Sequence, residues 1–364
     1  MSIIKKPWLS FLVFVLVLFS IFYLESESVS LPSQNILPEI KTSEESKSNT
    51  PLNIREKNYP KIQEFEGISD WINTDPLTIE KLKGKVVLVD FWTYTCINCI
   101  RTLPYLKDWD EKYKEKGLVI IGMHTPEFKF EQEKQNVLDA VRRYNITYPV
   151  AQDNEYVMWK KYQNRYWPHE YLIDNEGYIR YDHIGEGGYD ETEKEIQELL
   201  KERMEGLGEE TSILGKIKTT EEVPVDFASI LTPEIYLGYK TTRGNFGNEE
   251  GFKEDEFRYI LPKNILPNKV YVDGLWKANE DSLELVSDEG MITLQYYAPA
   301  VNIVADSSLG TQAVISVNET GENKMFIKEA RLYNLARSAP GSEGNVLRMH
   351  LQGKGFRVYT FTFG

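Results

Sequence analysis

Cys96 and Cys99, in the string Cys96-Ile97-Asn98-Cys99, are the two cysteines of a 364-residue chain. So close a pair cannot staple distant segments, and a secreted scaffold held by disulfides carries many more cysteines. The pair is therefore chemical rather than architectural. It follows an apolar run, Val86-Val87-Leu88-Val89-Asp90-Phe91, that reads as a buried strand, and it precedes a stretch with helical character. A cysteine where a strand hands over to a helix meets unpaired backbone N–H groups and the positive end of the helix dipole, both of which favour a thiolate. Cys99 falls one turn further on the same face, where side chains at that spacing have Cβ atoms about 5–6 Å apart. Cys96 is expected to attack a disulfide and Cys99, deeper, to resolve it.

Asp90 is the second chemical residue. A carboxylate in so apolar a strand is expensive to bury without a partner. Burial raises its pKa towards the range useful for moving a proton. Metal binding is the rival use of the thiols. A closed zinc site needs two further ligands, and the four histidines, His124, His169, His183 and His350, show no paired spacing.

The elements that must hold these residues follow in order. After the helix that begins at Cys96 and runs to about residue 114 come a strand at residues 118–124 and an amphipathic helix at 137–144. Residues 171–173 and 178–184 flank Asp174-Asn175-Glu176-Gly177, a turn signal that predicts a hairpin. A charged helix at 189–204 carries Ile196, Leu199 and Leu200 on one face. Parallel strands followed by a hairpin make an α/β fold with helices on both faces of one sheet. Past Gly206 and Gly208 the pattern changes to short strands at 291–297, 346–351 and 358–363. The last alternates with period two, as a half-buried strand does. Residues 208–364 are thus expected to form an all-β sandwich or jelly roll, and residues 59–207 the α/β domain.

At the cysteine motif the chain resembles the thioredoxin superfamily, and in particular the membrane-anchored extracytoplasmic branch represented by TlpA and ResA. The resemblance implies a thioredoxin-like fold and protein-disulfide oxidoreductase activity through a redox-active disulfide, with no other cofactor. It makes Asp90 the buried acid that serves the resolving cysteine, and Pro168, in Trp167-Pro168-His169-Glu170, the cis-proline that faces the active site. Trp167 then offers backbone to the substrate, and Trp92 stands as a second substrate-binding candidate. The strings Trp92-Thr93-Tyr94-Thr95-Cys96-Ile97-Asn98-Cys99, Pro233-Glu234-Ile235-Tyr236-Leu237-Gly238-Tyr239 and Tyr359-Thr360-Phe361-Thr362-Phe363-Gly364 look like DipZ-type proteins. In that family the C-terminal domain is a β sandwich resembling carbohydrate-binding modules. DipZ proteins carry a polytopic electron-transfer domain ahead of the thioredoxin part, and this chain has one apolar run there. A reductase of this kind would draw electrons from a separate membrane donor of the CcdA type. Thr93-Tyr94-Thr95-Cys96 also fits the T-x-x-C of thiol peroxidases, but those place a proline where this chain has Asp90. Glu127, at a strand's end, is a further candidate near the disulfide.

Residues 8–24 are apolar apart from Ser10 and Ser20 and follow Lys5 and Lys6. As a helix they would span about 25 Å at 1.5 Å per residue, near the lower limit for a transmembrane segment. The basic flank stays cytoplasmic, which exports the rest. A cleaved signal peptide is the rival reading and exports it equally. Residues 25–58, rich in Ser, Glu, Lys, Asn and Pro, read as a tether. The net charge of −14 argues against nucleic acid as partner. Expected partners are protein disulfides or dithiols. A glycan or envelope ligand for the β domain is an alternative use of its aromatics, Tyr236, Tyr239, Tyr271, Trp276, Tyr296 and Tyr297, which otherwise serve as core.

Overall fold

A computed structural model describes residues 59–215, 217, 225–337 and 344–364. The N-terminal domain runs β1 (Asp70–Ile72), α1 (Ile79–Leu82), β2 (Val86–Trp92), α2 (Ile97–Tyr113), β3 (Leu118–His124), α3 (Lys134–Arg143), β4 (Val150–Gln152), α4 (Val157–Lys161), β5 (His169–Ile173), β6 (Ile179–Ile184) and α5 (Tyr189–Leu207). Its sheet has the order β1-β4-β3-β2-β5-β6, with β2, β3 and β4 parallel, β5 antiparallel to β2, and β6 antiparallel to β5 in a hairpin. β2 is central and every one of its side chains is buried. Alternation along it decides which side each residue serves. Leu88 and Trp92 pack with Leu103 and Leu106 of α2, Val137 of α3, and Leu199 and Leu200 of α5. Val87, Val89 and Phe91 face the other way, onto Leu82 of α1 and Met158 of α4. This is the expected α/β layering. β1, β4 and α4 are three to five residues long, too short to leave a periodicity.

α5 ends where Gly208 takes a left-handed conformation (φ 69°) that favours glycine. The C-terminal domain contributes β7 (Ile235–Tyr236), β8 (Phe257–Tyr259), β9 (Val270–Ala278), β10 (Leu283–Tyr296), β11 (Ala300–Ser307), β12 (Thr311–Val317), β13 (Thr320–Ile327), β14 (Arg331–Arg337), β15 (Asn345–Gln352) and β16 (Phe356–Phe363). It is all-β, as expected, but it is a single ten-stranded sheet and not two separate layers. The long β10 pairs with β9 and β15, is bulged between Leu285 and Gly290, and at its start turns to pair with β16. A bulge bends a strand, and here one strand serves both walls of the domain. The end strands meet: Asn323 of β13 donates its side-chain amide to the Leu335 carbonyl of β14 at 3.3 Å. The sheet nearly closes around a core that includes Trp276, Leu294, Phe356 and Phe361.

Among the described residues no helix is long and apolar enough to cross a membrane. The expected anchor at residues 1–24 and tether at 25–58 lie outside the described residues.

Candidate active site

Cys96 is the N-cap of α2, and the backbone N–H of Cys99 donates to its Sγ at 3.2 Å. That bond sets a backbone N–H donor on this sulfur at the start of the helix. The thiol also points at the Trp167 carbonyl, 3.9 Å away. The peptide bond between Trp167 and Pro168 is cis, and this turn brings the strand that follows it up to the cysteines. Cys96 is half-buried, whereas Cys99 is enclosed at 1% exposure; both are free thiols. Burial, the bond to Cys96 and the nearby Asp90 carboxyl push the Cys99 thiol well above its ordinary range. An accessible sulfur at a helix start with a shielded protonated one behind it is the asymmetry that stepwise thiol–disulfide exchange needs.

Asp90 lies on the face of β2 that α2 covers, and burial raises its carboxyl to about 8. Ionisation near neutral pH suits a group that takes a proton and returns it. The resemblance pairs it with Cys99, whose thiol it helps to push up. Trp167 is half-buried, donates its indole N–H to the Thr125 carbonyl at 3.1 Å, and lies against Trp159 with ring centroids 4.2 Å apart. Its carbonyl is therefore held in place beside Cys96.

Trp92 is a correction. Its side chain has no exposure and packs edge-on against His124 at 5.4 Å, so it cannot meet a protein substrate. Position 92 shares the inward face of β2 with Leu88 and Asp90; proximity to Cys96 along the chain does not bring it to the surface. Glu127 lies at the junction with the β domain, where Tyr236 donates to its carboxylate at 2.6 Å. Burial raises Glu127 to about 8, against the bond from Tyr236.

Two acids escaped the sequence reading. Glu131, with no exposure, accepts from the Thr95 hydroxyl at 2.6 Å and from the backbone N–H groups of Glu127 and Phe128 at 2.6 and 3.0 Å. It ties the residue before Cys96 to the loop after β3. Glu170, opposite Asp90 in the β2–β5 register, is 1% exposed. Its signal was the one used for Asp90, a carboxylate inside an apolar strand, but His169 beside it disguised the run. His169 itself is buried, its ring nitrogens 2.6 Å from Asn164 Oδ1 and 3.0 Å from Asp182 Oδ2, and burial lowers its pKa.

The β domain reaches this neighbourhood. Arg101, two residues beyond Cys99, pairs with Glu186 at 3.1 Å and donates to the Gly364 carbonyl at 3.3 Å. Phe128 and Phe130 pack on Tyr359 with centroids 5.3 and 4.7 Å apart. Of the aromatics weighed as a sugar platform, Tyr236, Tyr271, Trp276 and Tyr296 are buried.

Comparison with known proteins agrees with this geometry. The Redoxin family matches residues 69–200, and the family described as the thioredoxin like C-terminal domain matches residues 232–364. Protein DipZ of Mycobacterium bovis is 34% identical over 304 residues, 83% of this chain and 42% of that protein. The thiol-disulfide oxidoreductase ResA of Bacillus cereus is 32% identical over 130 residues, 36% of this chain and 65% of that one. YkuV of Bacillus subtilis, also named a thiol-disulfide oxidoreductase, is 26% identical over 142 residues, 39% of this chain and 95% of that one. The chain spans less than half the length of the DipZ relative it matches. The strand–CxxC–helix site thus lies in a region, residues 69–200, that matches the Redoxin family, and it is followed at residues 232–364 by a region that matches the thioredoxin like C-terminal domain.

Proposed function

We propose that this chain is a membrane-anchored, extracytoplasmic protein-disulfide oxidoreductase that works as a reductase. The observation that carries the reading is the placement of Cys96, half-exposed at the start of α2, with Cys99 enclosed behind it and the Trp167 carbonyl alongside. The Cys96 thiolate attacks one sulfur of a substrate disulfide; a mixed disulfide forms and the other substrate sulfur leaves as a thiolate. Cys99 then loses its proton to Asp90 and attacks Cys96 Sγ, which expels the second substrate thiolate. Two electrons pass to the substrate and the Cys96–Cys99 disulfide remains. The chemistry uses the cysteine pair and no further cofactor.

The dithiol is regenerated by a separate membrane donor of the CcdA type, and reduction of envelope proteins, as in cytochrome c maturation, is the setting that fits an exported reductase. The relatives' names as thiol-disulfide oxidoreductases support the reaction class. Peroxidase chemistry is disfavoured because Thr93, the threonine of the T-x-x-C string, has no exposure and shares its hydroxyl with His124 at 3.4 Å. A peroxide could not reach it. Burial of four of the six aromatics weakens a glycan platform on the β domain.

The test is trapping. With the full chain and the reduction of disulfide-bonded insulin as readout, Cys96→Ser should lower the rate by about a thousandfold or more. Cys99→Ser should accumulate a mixed disulfide with a protein substrate. Full turnover by Cys96→Ser would sink the reading.

A further inference from the structure

Beneath the cysteines a row of ionisable side chains crosses the sheet. Asp90 on β2 stands opposite Glu170 on β5, and Glu170 opposite His183 on β6. Register partners share a face, and this is the face covered by α2 and α5, since Leu88, Leu172 and Tyr181 of the same alternation pack with those helices. Directly opposed residues of antiparallel strands have Cβ atoms about 4.5–5.5 Å apart, so successive members lie side by side, with no hydrogen bond joining these polar atoms, and a hand-over between them takes a side-chain rotation or a bridging water. On the far side of Asp90 the row stops at Gly122 of β3, which has no side chain to offer. It runs one way, from under Cys99 towards the edge strand β6.

The polar atoms of this row lack other employment. Asp90 Oδ1, both carboxylate oxygens of Glu170 and His183 Nε2 have no hydrogen-bond partner among the described residues. Leaving such atoms unpaired costs about 1–3 kcal/mol each. Stability does not explain them, and neither does an ion pair, because the first two members are both acids. The ionisable groups that interact with Asp90 or Glu170 from the packed elements are Cys99 of α2, Tyr148 ahead of β4 and Tyr181 of β6. None is a cation. His169 projects from the opposite face of β5 and has its own partners, and His183 is the one member of the row that acts on it. Asp90 and Glu170 are each 1% exposed, while His183 is half-buried with its ring against Gly188 at the start of α5. The row thus joins a sealed end to an end that solvent can reach.

We infer that Asp90, Glu170 and His183 form a relay that carries the proton of Cys99 between the buried site and solvent. This rests on the dithiol-exchange reading of the cysteine pair. When Cys99 attacks the mixed disulfide, its S–H bond breaks and the proton passes to the Asp90 carboxyl. Asp90 releases a proton to Glu170, Glu170 to the His183 imidazole, and the imidazole to water. No electron moves along the row, and each carboxyl ends with the protons it began with. Re-reduction of the disulfide runs the row backwards and reprotonates Cys99. Burial raises Asp90 to about 8 and holds Glu170 well above the usual carboxyl range, so both carboxyls favour the protonated form. The His183 ring has two nitrogens, so it can take a proton on one and release one from the other.

Single-turnover reduction of insulin by the full chain, resolved into mixed-disulfide formation and its resolution, tests the relay. Glu170→Gln and His183→Ala should each slow resolution by about tenfold or more and leave mixed-disulfide formation unchanged. Added imidazole should restore resolution in His183→Ala but not in Glu170→Gln. Wild-type resolution rates in both variants, an equal slowing of both steps, or a His183→Ala defect that imidazole does not relieve would each overturn the relay while leaving the oxidoreductase reading standing. A wild-type chain that forms no mixed disulfide would remove both.

Discussion

Asp90 shows how a single side chain links stability to pH. Its carboxyl is raised by burial from 3.8 to about 8, so between those values the folded protein binds a proton that the unfolded chain has released. Stability therefore falls as pH rises through that window, by up to about 1.4 kcal/mol per pH unit. The contribution is most favourable below the lower value and fully lost above the upper one. Asp90→Asn removes the titration. The variant should gain a few kcal/mol over the wild type at pH 8 and little at pH 4, measured by urea unfolding at both. A difference that does not vary with pH would mean that Asp90 is not held protonated. Asp90 was legible because a carboxylate interrupts an apolar strand. Glu170 answers to the same argument and was missed, since a histidine next to it made the strand look polar.

At the scale of elements, β3 has to pass close under the active-site side chains. Gly122 sits in register with Asp90, and a Cβ added there would lie 2.8 Å from Trp92 Nε1 and 3.2 Å from a ring carbon of Tyr148. Both neighbours are fully buried and flanked by core, so neither can easily yield. Gly122→Ala should cost about 1–3 kcal/mol by overpacking, seen in the denaturant midpoint, and should alter Trp92 fluorescence. An unchanged midpoint would show that the two rings have room to move. The longer helices and strands of the α/β domain could be read from their periods, because each buries one face against the sheet. The last strand misled. Residues 358–363 alternate as a half-buried strand should, yet nearly all of β16 is buried. It is paired on both sides, with Phe361 in the β-domain core and Tyr359 turned towards the redoxin domain.

At the scale of the molecule, that second contact joins the two domains. Tyr359 and Val304 of the β domain pack with Phe128 beside the active-site loop, and Tyr236 donates to Glu127 of the same loop. Arg101 couples the other edge, between Glu186 and the Gly364 carbonyl. The β domain thus braces the loop that also carries Glu131, the partner of Thr95 next to Cys96. A double-mutant cycle on Phe130→Ala and Tyr359→Ala should return a coupling of about 0.5–1.5 kcal/mol. Additive losses in urea unfolding would mean that the two rings contribute independently. Loosening the junction should also slow mixed-disulfide formation by Cys96 more than it lowers overall stability, because the brace acts on the loop beside that sulfur.

Spacing, periodicity and composition alone determined the candidate reaction centre, the order of the longer α/β elements and the change to β structure past Gly208. These are local properties: two thiols one turn apart, apolar periods of 2 and 3.6, and glycine at a helix end. Only the tertiary structure decided that Trp92 faces inward, that the β strands make one nearly closed sheet, that Tyr359 covers the loop by the cysteines, and that Asp90, Glu170 and His183 stand in one row. Each of those depends on which distant strand lies alongside, and strand partnership is set by the packing of whole faces, which no short window of residues contains.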